Sequence, residues 1–184
     1  IRQFKVLRGD REIIYPFTTY PIIFLKNFYE ENSPLGKLTN HLRETFINGV
    51  PSENKKSVTE LSPVVVAVKK RDSELVEFAK KADYRNRQNQ QHACVQNHLL
   101  DFDSKTIAIE IPVWDELTLG HIDIIRVVGD KIQVVDFKPN AHKETKAGSQ
   151  VLRYILLLMK HLDLPMRIFE GVYFDDCNAY FLEL

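Results

Sequence analysis

The pattern of apolar and polar positions divides the chain in two. Over the first hundred residues it is mostly that of helices. Ser33 and Pro34 open a run, Leu35 to Ile47, that reads as a helix capped by Ser33 and stopped at Gly49. The polar stretch Val50 to Pro63 predicts a loop with Lys55 and Lys56 at its tip. A second helix is expected from Asp72 to Asp83, and a third from about Arg85 to Leu100. Ala93, Val95, Leu99 and Leu100 supply part of the third helix's apolar face.

The second half changes character. Thr106 to Val113, Leu117 to Val128 and Lys131 to Lys138 are rich in β-branched residues and predict three consecutive strands. Gly129-Asp130 is a tight-turn signal, so the last two should form an antiparallel hairpin. Gln150 to Leu162 reads as a strongly apolar helix ended by Leu164-Pro165. Two further strands, Arg167 to Phe174 and Ala179 to Leu184, flank the turn at Asp175-Asp176-Cys177-Asn178. One sheet flanked by helices, a mixed α/β (α+β) class, is the economical architecture.

Composition narrows the function only slightly. With 184 residues, 44% hydrophobic and 27% charged, the chain suits one soluble domain or one core with a helical addition. Its 25 basic and 25 acidic residues cancel, so nucleic-acid binding requires a local basic groove. Cys94 and Cys177 form no CxxC pair, which argues against a zinc site or disulfide framework and for a reducing, intracellular setting. The apolar stretch Tyr20 to Phe24 is too short to span a bilayer, and no secretory leader pattern is present, so no membrane partner is expected. The abrupt start at Ile1 suggests a piece of a longer protein.

The candidate chemistry lies in the strands. Side chains alternate along a strand, so Asp136 and Lys138 in Ile132-Gln133-Val134-Val135-Asp136-Phe137-Lys138 share a face. Alone, such a pair is often a plain ion pair. The preceding strand, Gly120-His121-Ile122-Asp123-Ile124-Ile125, adds an acid inside an apolar run, where a lone carboxylate is costly unless compensated. The short Gly129-Asp130 turn lets Asp123 and Asp136 approach, and their mutual repulsion calls for a hard cation such as Mg²⁺. Lys138 could then set its compact charge against a scissile phosphate and an attacking water. Gln150 and Tyr154 stand at i and i+4 on one helix face, where they either hydrogen-bond the sheet edge or orient water and DNA backbone.

These residues resemble a known pattern. Glu110, Gly120-x-x-Asp123, Asp136-x-Lys138 and Gln150-x-x-x-Tyr154, in that order, look like the PD-(D/E)XK nuclease superfamily, and most like its RecB-type branch. That branch includes nuclease domains of recombination helicases and CRISPR-associated exonucleases. The resemblance covers roughly Glu110 to Tyr154. It implies a restriction-endonuclease-like core over residues 85–184, with residues 1–84 as an N-terminal helical region serving as a DNA-binding or lid element. It also implies Mg²⁺ or Mn²⁺ held by Asp123, Asp136 and the Phe137 backbone carbonyl, Lys138 as the catalytic lysine, and Gln150 and Tyr154 as an accessory pair. Glu110 is a further metal candidate. The branch places a His on an upstream helix near the metal, for which His41 is the first choice and His92 the other. Some relatives carry a four-cysteine iron–sulfur cluster, which two cysteines cannot form.

The expected activity is hydrolysis of phosphodiesters in single- or double-stranded DNA, exonucleolytic by resemblance, in repair, recombination or defence. The rivals are a non-catalytic DNA-binding or assembly module with the same fold, and an ordinary domain whose charges form a structural network. His142, Lys143 and Lys146 lie before the Gln150 helix and could touch DNA backbone. The Lys69-Lys70-Arg71, Lys80-Lys81 and Arg85 to Arg87 clusters are a solvated face or a phosphate-tracking surface. Without a P-loop, any helicase motor must reside elsewhere, in a partner or a larger parent protein.

Overall fold

A computed structural model describes residues 4–8, 11–15, 32–48, 55–87 and 89–184. β1 (Phe4–Arg8) and β2 (Arg11–Tyr15) pair antiparallel as a separate two-stranded sheet. The rest comprises α1 (Pro34–Asn48), β3 (Lys56–Ser57), β4 (Val68–Arg71), α2 (Glu74–Lys81), α3 (Gln91–Phe102), β5 (Thr106–Trp114), β6 (Thr118–Val128), β7 (Lys131–Phe137), α4 (Ala147–Leu162), β8 (Phe169–Phe174) and β9 (Ala179–Leu182). The seven strands β3 to β9 form one mixed open sheet, ordered β3-β6-β7-β8-β9-β4 with β5 on the other side of β6. β3–β6 and β7–β8 are parallel and the other pairs antiparallel. No described helix is long and apolar enough to cross a membrane.

Alternation along the strands sorts the core onto two faces. Ile132 and Val134 of β7 join Leu38 and Leu42 of α1 and Val151, Ile155 and Leu158 of α4. Val135 and Phe137 turn the other way, onto Leu75 of α2 and Val95 and Leu99 of α3. Helices thus cover both faces, which is why the β7 and β8 sequences are apolar on both sides. The parallel β7–β8 pair requires a crossover, and α4 supplies it. That helix can lie close because Gly171 on β8 has no side chain. A Cβ there would stand 2.9 Å from Val151 Cγ1 and 3.0 Å from both Ile155 Cδ1 and Leu182 Cδ2. Gly171→Ala should therefore cost about 1–3 kcal/mol through overpacking. Urea unfolding checks this, and a change under half a kilocalorie would show that α4 yields without strain.

Several sequence expectations meet their structure closely. Ser33 Oγ accepts from Gly36 N at 3.1 Å and caps α1. Gly129 adopts φ +62° between Val128 and Lys131, which close the β6–β7 hairpin. Asp175 Oδ1 accepts from the Cys177 and Asn178 amides, shaping the β8–β9 turn. Others need correction. The first hundred residues are less helical than their pattern suggests. The expected loop Val50 to Pro63 contains β3, paired with Thr118 and Leu119, and a 3₁₀ turn whose Val58 enters the core (residues 50–54 lie outside the described set). The charged cluster Lys69-Lys70-Arg71 belongs to β4, an edge strand whose charges discourage further pairing. The third helix starts at Gln91 and not near Arg85, because Tyr84–Asn86 form a 3₁₀ turn and Asn89 (φ 65°) takes a left-handed conformation before it. Gly49 and Tyr20 to Phe24 lie outside the described residues.

One buried polar network crosses the sheet. Arg126, 1% exposed, donates from Nε to Asp103 Oδ2 (2.7 Å), from Nη1 to Gln133 Oε1 (2.7 Å) and from Nη2 to Glu74 Oε1 (2.5 Å). Gln133 Nε2 in turn donates to Glu170 Oε2 at 2.6 Å. Thr106, Arg126, Gln133 and Glu170 form a continuous cross-strand row from β5 to β8.

Candidate active site

Three acidic residues occupy successive strands at a place where the sheet changes its pairing. Ile109 opposes Ile124 and Ile111 opposes Ile122, which sets Glu110 across from Asp123. The last β6–β7 pair is Ile124 with Val135, and the next positions along are Asp123 and Asp136. Beyond that point β6 leaves β7 and takes β3 as its neighbour at Thr118 and Leu119. The strands therefore part at the two aspartates.

The side-chain alternation breaks at the same level. Ile109 and Ile124 pack on the α2/α3 side, yet Ile111 and Ile122, two residues along, pack on the α1/α4 side. Regular strands would keep each pair on one face. Glu110 absorbs the change with φ +53°, a left-handed value uncommon for a non-glycine residue within a strand. Gln96, one turn after His92 on α3, donates to Glu110 Oε1 at 2.5 Å. Strain of this kind is often retained at functional positions.

Asp123 Oδ2 accepts the Phe137 amide at 2.9 Å and lies 3.2 Å from His92 Nδ1. Asp136 is fully buried. Its Oδ2 forms an ion pair with Lys138 Nζ at 2.8 Å. Its Oδ1 is 3.5 Å from Gln150 Nε2, which also donates to Tyr154 Oη at 2.7 Å. Tyr154 packs on Gly120, where an added Cβ would meet the ring at 2.5 Å. The glycine, the aspartates, the lysine and the Gln–Tyr pair of the sequence pattern are thus one contiguous cluster.

The charges follow from burial and proximity. Burial, and then the Asp123 carboxylate, push Asp136 up to about 7 against the pull of Lys138 and His92. Burial alone would lower Lys138, but the Asp136 carboxylate outweighs it and raises the ammonium. The hydrogen bond to Asp123 raises His92, with burial opposing. Burial also raises the Tyr154 phenol, assisted by Asp136, Asp123 and Glu110 despite the opposing Gln150 bond, so the phenol stays protonated.

Of the two candidate histidines, the structure sets His92 against Asp123. His41 instead packs its ring 5.9 Å from Trp114 and 4.9 Å from His161. Its Nε2 is buried without a hydrogen-bond partner, and burial followed by the His161 charge lowers it to about 4. Lys146 lines a cavity of about 200 Å³ with Lys138, Glu144 and Gln150. Lys143 is exposed, and His142 Nδ1 lies 4.0 Å from Asp175 Oδ2. Gln96 joins the site although the sequence pattern does not single it out; its i+4 spacing from His92 on α3 is the signal that marks it.

Among the described residues, the tightest trio of potential ligand atoms, all within 4.8 Å, belongs to Asp175, Asp176 and Cys177. Its carboxylates are already engaged by turn amides, Ala141 N and the Arg85 guanidinium. Neither Glu110, Asp123 and Asp136 nor His92 with the two aspartates converge that closely.

The Gly120 contact is directly testable. Gly120→Ala should displace the Tyr154 ring and cost about 1–3 kcal/mol by overpacking. Chemical denaturation measures it, and unchanged stability would mean that the ring has room to move. No family model, curated protein or solved structure matches this chain.

Proposed function

We propose that this chain is a metal-dependent deoxyribonuclease with a restriction-endonuclease-like core, acting on DNA phosphodiester bonds and preferring strand ends. The reading rests chiefly on the fully buried Asp136, which is paired with Lys138 and flanked by Asp123. Two carboxylates at the parting of two strands, one raised toward neutrality by burial and then by the other, form a site that a hard cation relieves. The carboxylate oxygens suit Mg²⁺ or Mn²⁺.

Asp123 and Asp136 would hold the ion, with His92 in its neutral form and Glu110 at the margin. The Phe137 carbonyl is the remaining candidate. In a strand, the N–H and C=O of one residue face the same neighbour, and the Phe137 N–H faces Asp123. When bound, the ion supplies Lewis acidity toward a phosphoryl oxygen and a more acidic water. Lys138 holds an ammonium beside the reacting phosphate and offsets the charge that builds there. Gln150 and the protonated Tyr154 keep Asp136 oriented and donate toward the site. Lys146, and more distantly Lys143 and His142, present positive or polar groups to the neighbouring backbone. The free thiols of Cys94 and Cys177 accord with an intracellular setting. A helicase partner or larger parent protein would supply any motor.

The test is cutting of labelled single- and double-stranded DNA with Mg²⁺, Mn²⁺ or EDTA, with linear and circular substrates. Cation-dependent cutting is expected, reduced at least about a hundredfold in a folded Lys138→Ala variant. Cutting that survives EDTA or ignores Lys138→Ala would refute this assignment. DNA binding without any cutting would instead favour a non-catalytic module.

A further inference from the structure

Beside the Asp123 and His92 contact lies a cavity of about 620 Å³ between the start of α3 and β5. Its lining is chemically one-sided. The amide side chains of Asn89, Gln90, Gln91, Gln96 and Asn97 surround it, and no Lys or Arg is among the described lining residues. Ile109 gives it an apolar patch, while Glu110 and His92 join it to the candidate active site.

We infer that this cavity receives a nucleobase of single-stranded DNA, adjacent to the bond that the enzyme cuts. The inference rests on the nuclease reading and gives its substrate a form. A phosphate is a poor occupant, since the wall offers it the Glu110 carboxylate and neither Lys nor Arg, while the His92 imidazole is engaged by Asp123. Carboxamides, by contrast, donate and accept in the plane of a base edge. The size falls within the range of small-ligand sites, ample for a nucleoside.

The opposite flank of the site has the complementary chemistry. There the smaller cavity carries two ammonium groups, Lys138 and Lys146, against one carboxylate, Glu144, a balance that suits phosphate. A strand crossing Asp123 and Asp136 would thus place a base on the α3 side and its backbone on the Lys138 side. A base held in duplex cannot enter a cavity without leaving its stack. Single strands or frayed ends are therefore the preferred substrate.

Ala93 is exposed, lines the same cavity and lies one helical turn before Asn97. Ala93→Trp should fill the space without disturbing the core, which an unchanged melting temperature verifies, and Asn97→Ala removes one amide. The measurement is fluorescence anisotropy in EDTA, where nothing is cut. The probes are a short oligodeoxythymidylate, a strand of equal length built of abasic sugars, and a duplex. The parent should bind the base-bearing strand roughly tenfold more tightly than the abasic strand, and more tightly than the duplex. Ala93→Trp should lower oligodeoxythymidylate binding to the abasic level while leaving abasic binding unchanged. Asn97→Ala should move it partway and keeps the test open if Ala93→Trp fails to fold. Equal binding of base-bearing and abasic strands by the parent, binding of neither, or equal losses on both strands in Ala93→Trp would overturn the inference. Base-dependent binding with no cutting under Mg²⁺ or Mn²⁺ would sink the nuclease reading alone. Cutting with base-independent binding would sink only the cavity's role.

Discussion

Asp136→Asn should abolish DNA cutting, by roughly a thousandfold or more, yet leave the protein at least as stable as the parent at pH 8. The two outcomes share one cause. Asp136 is fully buried, and its carboxyl is held at about 7 by burial and by Asp123. A carboxyl raised in the folded state binds its proton more tightly there than in the unfolded chain. Stability is therefore lost as pH rises from the ordinary carboxylate range to about 7, and the loss is complete above it. Three pH units correspond to about 4 kcal/mol, an upper figure. Asparagine mimics the protonated form and escapes that penalty. It also strands the Lys138 ammonium, 2.8 Å away, which returns part of the gain. The net expectation at pH 8 is between zero and about 3 kcal/mol in favour of Asp136→Asn, shrinking toward pH 4.

Urea unfolding of both proteins across pH 4 to 8 reads the difference directly. A gap that does not grow with pH would mean that Asp136 carries no buried charge. Mn²⁺ supplies the second arm. It should raise the parent's melting temperature at pH 8 and leave that of Asp136→Asn nearly unmoved, since binding to the folded state alone stabilises it. Equal shifts in both would remove Asp136 from the ligand set.

Why some of this was visible in the sequence and some was not has a physical explanation. β6, β7 and α4 follow local rules. Gly129 needs a left-handed turn, β-branched runs make strands, and Gln150 and Tyr154 meet because residues four apart share a helix face. The proximity of Asp123 to Asp136 followed from the length of one turn. β3 and β4 were obscure because each is short and set by a distant partner. Thr118 and Leu119 define β3, while Leu182 through Ala179 define β4. Propensity over two to four residues is weak beside such pairing. The choice between His41 and His92 was unreadable for a related reason. Both are helical histidines, and only the packing of α3 on the Phe137 side of the sheet brings His92 to Asp123. The kink at Glu110 was likewise hidden, because alternation in Thr106 to Val113 shows no gap where the strand rolls over. Gly120 carried more information than its motif position suggested. Its missing side chain is the space that Tyr154 occupies.

Arg126→Met should be the most destabilising single change outside the site, at about 3–5 kcal/mol. The guanidinium is 2% exposed and the Asp103 carboxylate 4%, so neither charge is appreciably solvated. Methionine fills much of the volume but leaves the Asp103 carboxylate buried without its guanidinium, with the Thr106 hydroxyl and the Lys105 amide as its remaining donors. Gln133 Oε1 loses its donor as well, at a cost of about 1–3 kcal/mol if it stays unsatisfied. Most of the penalty is thus the stranded carboxylate and not the lost attraction. That distinction has a measurable consequence. Asp103→Asn added to Arg126→Met should recover a substantial share of the stability, since it removes the charge that methionine exposes. The double-mutant cycle, read by urea unfolding, should show a coupling of about 1–3 kcal/mol. Strict additivity, or a loss below about 1 kcal/mol for Arg126→Met alone, would show that water reaches Asp103 and that the row from Thr106 to Glu170 is not a buried network. Glu74 offers an internal control. Its carboxylate is 45% exposed and also receives Lys105, so Glu74→Gln should cost well under half as much as Arg126→Met.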